Sequence, residues 1–254
     1  MGSISIREHI RWGSDPSSEP TSTLVLTSPG RRFVDVRVLR RVSSPSTSSR
    51  QAPTGSQHPS HENFGILPGD QLDWAFAGTS SSGTVTRPDG NQGSHSVFLH
   101  WVDNRSREPE NVRDEGDMFP QRNGVTLETG RMVNPATGVE TDYEELWRDE
   151  EPESTSVGGV ACVVFQIQDD SSGKRGQFVR LGRYAQGVLR SGDTFTAERW
   201  TWDQGQFKWR RLAKVGDGEA PSLGHLLVEH DSPYKVGEQV ETPSGIWTTI
   251  EVSG

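Results

Sequence analysis

Carboxylates and aromatic residues alternate densely over residues 139–148, VETDYEELWR. Side chains of these types hold protons, form ion pairs or grip polar ligands. On an extended strand Val139, Thr141, Tyr143, Glu145 and Trp147 share one face, and Glu140, Asp142, Glu144 and Arg148 lie mostly on the other. Asp73, Glu128, Arg131, Tyr143, Glu144 and Arg148 are the set that a barrel mouth would gather. There they form either a site or the ion pairs and tyrosine hydrogen bonds that pin strands together. His95 or His100 with Asp103 has the composition of a general base. The odd spacing of the two histidines points them to opposite faces of a regular strand, which argues against joint catalysis. Asp114, Glu115 and Asp117 lack the spaced oxygen ligands and distal Glu of a calcium loop and read as a solvated acidic segment. No P-loop, Gly-x-Ser-x-Gly, His-Glu-x-x-His or paired-cysteine pattern is present. No metal and no cofactor are expected, and no catalytic residue is assigned. Trp74, Trp101, Trp147, Trp200, Trp202 and Trp209, with Arg131 and Tyr143, are the candidate lining of a ligand cavity. The tryptophans would equally fill the cores of small barrels.

The elements that must carry these residues read as strands. Residues 124–151 form a hairpin, turning at Asn134-Pro135-Ala136-Thr137-Gly138. A second hairpin, over 23–39, turns at Ser28-Pro29-Gly30-Arg31. Alternation marks strands at 3–12, 71–77 and 96–103, with Leu72, Trp74 and Phe76 on one face and Val97, Leu99 and Trp101 on another. Residues 79–93 and 105–121 read as loops. Residues 43–62 are Ser/Pro-rich and read as a flexible insertion. The acidic run 149–156 marks a boundary between domains 1–152 and 153–254. Beyond it strands are expected at 159–168, 177–182, 193–202, 207–213 and 246–252. Two β units of seven or eight strands each need closed edges. The expectation is an all-β chain of two antiparallel β-barrel domains side by side.

Composition agrees. Only 30% of the 254 residues are hydrophobic, so eight Trp must supply much of the buried area. A net charge of −9 argues against nucleic-acid binding, and no basic block or apolar span predicts membrane insertion. The lone cysteine, Cys162, sits in the apolar run VACVVF and reads as a core residue in a reducing, intracellular protein.

Several segments in order resemble one family: ISIREHIRWG, EPTSTLVLTSPGRRFVDVRVL, LDWAFAGTSSS, HWVDNR, DEGDMF and ETGRMVNPATGVETDYEELWRD. Together these are similar to the fungal HRI protein family, named for a yeast member that interacts with a casein-kinase-1-type kinase. The resemblance is specific over residues 4–149 and general beyond about 160. It implies two lipocalin-like, calycin-type barrels and a soluble protein of cytoplasm and nucleus without catalytic activity. It also implies protein partners: that kinase and a component of the protein-translocation machinery. Ser154, Thr155 and Ser156 follow three Glu residues and are the candidate phosphorylation sites for such a kinase. The leading expectation is a non-enzymatic interaction protein. Its alternatives are a carrier of a small apolar ligand and a lipocalin-like cyclase or isomerase.

Overall fold

The computed structural model describes residues 2–40, 62–155, 162–216, 220–227 and 234–254. Most of the Ser/Pro-rich insertion, and Ser156, lie outside the described residues. In chain order the strands of the first half are β1 (Ser3–Trp12), β2 (Thr21–Thr27), β3 (Arg32–Leu39), β4 (Gly65–Leu67), β5 (Leu72–Thr86), β6 (Gln92–Asp103), β7 (Asp114–Pro120), β8 (Val125–Val133) and β9 (Glu140–Glu150). The second half adds β10 (Cys162–Asp169), β11 (Lys174–Leu181), β12 (Tyr184–Ser191), β13 (Thr194–Asp203), β14 (Lys208–Gly216), β15 (Gln239–Thr242) and β16 (Gly245–Ser253). The described helical turns are all short and of the 3₁₀ type.

The all-β expectation is met. A closed antiparallel barrel runs β1-β2-β3-β5-β6-β7-β8-β9, sealed where β9 pairs with β1. Closure leaves the barrel no edge strand to protect. A second sheet has the order β15-β16-β10-β11-β12-β13-β14-β4. Its last member, β4, comes from the first half of the chain and lies parallel to β14, with Ile66 opposite Lys214. The expected loop at 79–93 is largely strand, since β5 runs on to Thr86 and β6 starts at Gln92, and the expected loop at 105–121 contains β7 at Asp114–Pro120. Strand β12, YAQGVLRS, was not anticipated because small and polar residues break its apolar alternation.

The barrel's aliphatic face points outward. Ile4 and Ile6 of β1, Leu24 and Leu26 of β2, and Val34, Val36 and Val38 of β3 pack on Val164, Val179, Leu181, Val188, Ala197 and Val215 of the second sheet. Cys162 lies in this shared core, where burial pushes its thiol pKa up to about 12. The opposite face of the second sheet has its own core of Phe165, Ile167, Phe178, Leu189, Leu223, Leu226 and Trp247. Three buried polar side chains cross the joint between sheets. Gln177 donates to the Phe33 carbonyl at 2.7 Å and Gln186 to the Leu24 carbonyl at 2.8 Å. Arg199 donates to the Val36 carbonyl at 2.7 Å and to Ser22 Oγ at 2.9 Å. At one margin Glu251 accepts from Ser28 Oγ at 2.6 Å and from the Gly30 amide at 2.7 Å. A side chain at Gly30 would collide with that carboxylate, so the turn's glycine serves close approach, while the positive φ falls on Arg31.

An extra residue bulges β6 between His100 and Val102, opposite Gly78 and Ala77. Asp103 therefore faces the same way as His100, into the barrel, which regular alternation forbids. Gly78 permits the bulge, since a Cβ there would come within 1.9 Å of the Leu99 carbonyl oxygen. Gly78→Ala is expected to lower stability by about 2–3 kcal/mol, the range for overpacking a site that backbone movement must relieve. The check is the urea unfolding midpoint of the variant against the parent chain.

Candidate functional site

Inside the barrel lies a cavity of about 540 Å³. Its outer part is lined by hydroxyls: Ser3 and Ser5 of β1, Thr27 of β2, Ser80, Ser82 and Thr84 of β5, Ser94 and Ser96 of β6, and Thr126 of β8. Aromatic side chains wall the middle. Phe33 meets Phe76 and Phe98 edge-on at 5.7 and 5.4 Å, and Trp74 lies 4.4 Å from Phe76. Trp147 and Tyr143 face them from β9. Phe76 stacks on His100 at 4.1 Å.

Beneath the aromatics is a buried charge network. Arg7 reaches Glu145 at 2.5 Å and Glu19 at 2.9 Å. Arg37 pairs with Asp35 at 2.9 Å, approaches Glu145 at 3.5 Å, and places its guanidinium 5.0 Å from the Trp74 ring centre. His100 bridges Asp103 at 2.7 Å and Asp114 at 2.9 Å. Burial opposes its charge, but these two carboxylates prevail and raise its pKa. Asp103 also receives the Trp74 indole N–H, at 3.1 Å to each oxygen. Burial opposes its ionisation too, but the hydrogen bonds from His100 and the Arg105 amide hold its pKa below the usual carboxylate value.

Glu128 departs strongly from its ordinary behaviour. Tyr143 donates to its Oε1 at 2.7 Å and Trp147 to its Oε2 at 2.8 Å. Burial and the nearby Glu145 nevertheless push its pKa up to about 8. Burial and the same carboxylates raise the Tyr143 phenol. A carboxyl whose pKa is raised by burial and a neighbouring charge inside a lined cavity is a candidate functional group.

The candidates from the sequence divide cleanly. Trp74, Tyr143 and Trp147 line the cavity together. Arg131 is exposed on the outer face, paired with Glu140 and Asp142, because its odd spacing from Glu128 turns it away. Glu144 pairs with Arg11, Arg148 with Glu8, and Asp73 with Arg105, so this part of the anticipated mouth set makes ion pairs that tie strands and loops together. Trp101 packs outward on the shared core. Trp200 and Trp209 pack against the far core of the second sheet, and Trp202 meets Trp209 edge-on at 5.6 Å. His95 is outside with Asp117, and His100 is inside, as their spacing requires. Ser154 and Thr155 are half-buried, and Thr155 Oγ1 accepts from Arg180 at 3.2 Å. Arg7, Asp35, Arg37, Glu145 and Asp114 join the site although no sequence motif marks them as one. Glu145 lies 138 residues from Arg7 and 108 from Arg37, and only the closed barrel brings it to them. Among the described residues no cluster of three or more His, Cys, Asp or Glu has the arrangement of a metal site.

The crystal structure of an uncharacterised protein from Saccharomyces cerevisiae superposes on this chain with a TM-score of 0.70, covering 100% of both chains at 18% identity. That likeness speaks to the fold. None of the curated proteins compared with the chain matches it. The family model described as Protein HRI1 matches residues 3–251, nearly the whole length, and the chain belongs to that family.

Proposed function

We propose that the N-terminal barrel is a binding site for one small amphipathic organic molecule. The observation that carries this reading is the cavity of about 540 Å³ with aromatic walls and a polar interior. Ligand sites are concave, mainly apolar, and furnished with a few convergent polar groups, at volumes of about 300–1,000 Å³. A structural barrel of eight strands would fill its interior with side chains. Here most aliphatic residues of β1, β2 and β3 point outward to the second sheet, and the interior is lined mainly by aromatic rings, hydroxyls and ions, with Val25, Met118 and Met132 beside them. The open cavity supports ligand binding as the reading preferred here to protein association. The aromatic wall would hold an apolar body, and the charged floor would orient a polar head.

The test is native mass spectrometry of the full chain purified from a fungal host, beside a Ser80→Trp variant. Ser80 lines the outer cavity and is half-buried, so the indole would occupy the ligand's path. The expected result is a stoichiometric small-molecule adduct on the parent chain that is missing from a folded variant. An adduct that survives the plug, or a parent chain that stays bare, overturns the reading.

A further inference from the structure

Acidic side chains outnumber basic ones on the cavity lining. Asp35, Asp114, Glu128, Glu145 and Asp149 line it, against Arg31 and Arg37. Most of the acidic groups have assigned partners. Glu145 faces Arg7 and Arg37, Asp114 faces His100, Asp149 accepts from Ser5, and Glu128 accepts from Tyr143 and Trp147. Asp35 is the exception. It is 3% exposed, its Oδ2 is held by Arg37, and its Oδ1 has no hydrogen-bond partner. A buried carboxylate oxygen left unpaired is costly and marks an unmet need for a donor. Phe33 and Trp147 line the same cavity with rings that attract cations, while Trp74 and Phe76 already carry the Arg37 guanidinium at 5.0 and 5.5 Å. Carboxylates in excess beneath an aromatic box favour positive charge and repel negative charge.

We infer that the cavity ligand is an organic amine: an apolar, ring-sized body carrying one protonated nitrogen that sits against the Asp35–Glu128–Glu145 wall. This inference deepens the ligand-binding reading and rests on it. The nitrogen supplies both the missing positive charge and the missing N–H donor. The raised pKa values of Asp35 and Glu128 have the sense expected of a wall lacking a cation, since burial dominates both. Glu128 is faced by Tyr143 and Glu145 from β9, Asp114 from β7 and Arg37 from β3. An arriving ammonium adds a positive charge to that set and favours the ionised form. Binding at neutral pH therefore proceeds with loss of the Glu128 carboxyl proton to the buffer.

The experiment titrates the full chain calorimetrically with 4-phenylbutylamine, 4-phenyl-1-butanol and 4-phenylbutanoate, which share one apolar body. The amine is expected to bind at least about tenfold more tightly than the alcohol, and the carboxylate more weakly still. Repeating the amine titration at pH 7 in buffers of different ionisation enthalpy is expected to show release of a fraction of a proton. Glu128→Gln is expected to weaken amine binding and, in the binding that remains, to abolish that release. Alcohol binding as tight as amine binding overturns the amine assignment and leaves a site for neutral molecules. No saturable binding by any of the three overturns it together with the ligand-binding reading.

Discussion

Replacing Glu128 with Gln is expected to shift stability in the variant's favour as pH rises from about 5 to 8.5, by about 4 kcal/mol relative to the parent chain. The sign follows from proton binding. The carboxyl has an ordinary pKa of 4.5 and a folded value of about 8. Between those values the folded chain keeps a proton that the unfolded chain has released. Such a group favours the fold fully below its unfolded pKa, and that contribution is lost as pH climbs through the folded pKa. Gln has no proton to lose, so its contribution is flat across the window. The exchange also alters the hydrogen bonds from Tyr143 and Trp147, which adds an offset that pH does not change. Asp35 and His100 titrate in both chains, so the difference between chains isolates Glu128. Urea unfolding of both at pH 5, 6.5 and 8.5 checks the prediction. A gap that stays constant with pH would mean that Glu128 is ionised in the folded barrel.

Arg199→Ala is expected to cost about 3–5 kcal/mol, the range for breaking a buried, hydrogen-bonded charged group. Arg199 is fully buried between the sheets, and burial lowers its pKa to about 10, which leaves it charged at neutral pH. No carboxylate lies within ion-pair distance of it among the described residues. Its charge is met by oxygen dipoles: Gln186 Oε1 at 2.8 Å, Ser22 Oγ at 2.9 Å, the Ser22 carbonyl at 3.2 Å and the Val36 carbonyl at 2.7 Å. Alanine would strand these acceptors in a dry joint and open a void the size of the lost chain. Arg199→Met refills most of the volume and is expected to cost less, about 1–3 kcal/mol. Urea midpoints for both variants check the order. A methionine variant as unstable as the alanine variant would assign the effect to lost hydrogen bonds alone.

These two residues show what a reader of the chain can and cannot see. Alternation over 139–148 placed Tyr143, Glu145 and Trp147 on one face, and the barrel turns that face inward. Period-two patterning survives folding wherever a strand is regular. It fails at a bulge: Asp103 joins His100 because β6 carries an extra residue, and no residue type announced it. It also leaves open which face of which strand meets which cavity. Trp74 and Trp101 look alike as strand tryptophans, yet one lines the barrel and the other packs on the shared core. Arg199 stood in AERWTW beside two tryptophans, with nothing nearby to mark it as a cross-sheet donor. Acidic DEGDMFP read as solvated loop because β7 has few apolar residues to bury. Its place in the barrel comes from backbone pairing with β6 and β8. Strand patterning and family resemblance both pointed to barrels, while the cavity and its charge network had to come from coordinates.

Strand β4 gives the molecule an unusual relation to its own synthesis. Residues 65–67 leave the ribosome early, but their pairing partners, residues 213–215, emerge almost 150 positions later. Until then the second sheet has no terminal strand on that side, and Leu67 has no completed core to enter. A nascent chain stopped near residue 155 therefore holds a segment in waiting. Assembly of the two sheets concludes only after translation has passed β14, which ties the early chain to the late one and makes their maturation a shared event.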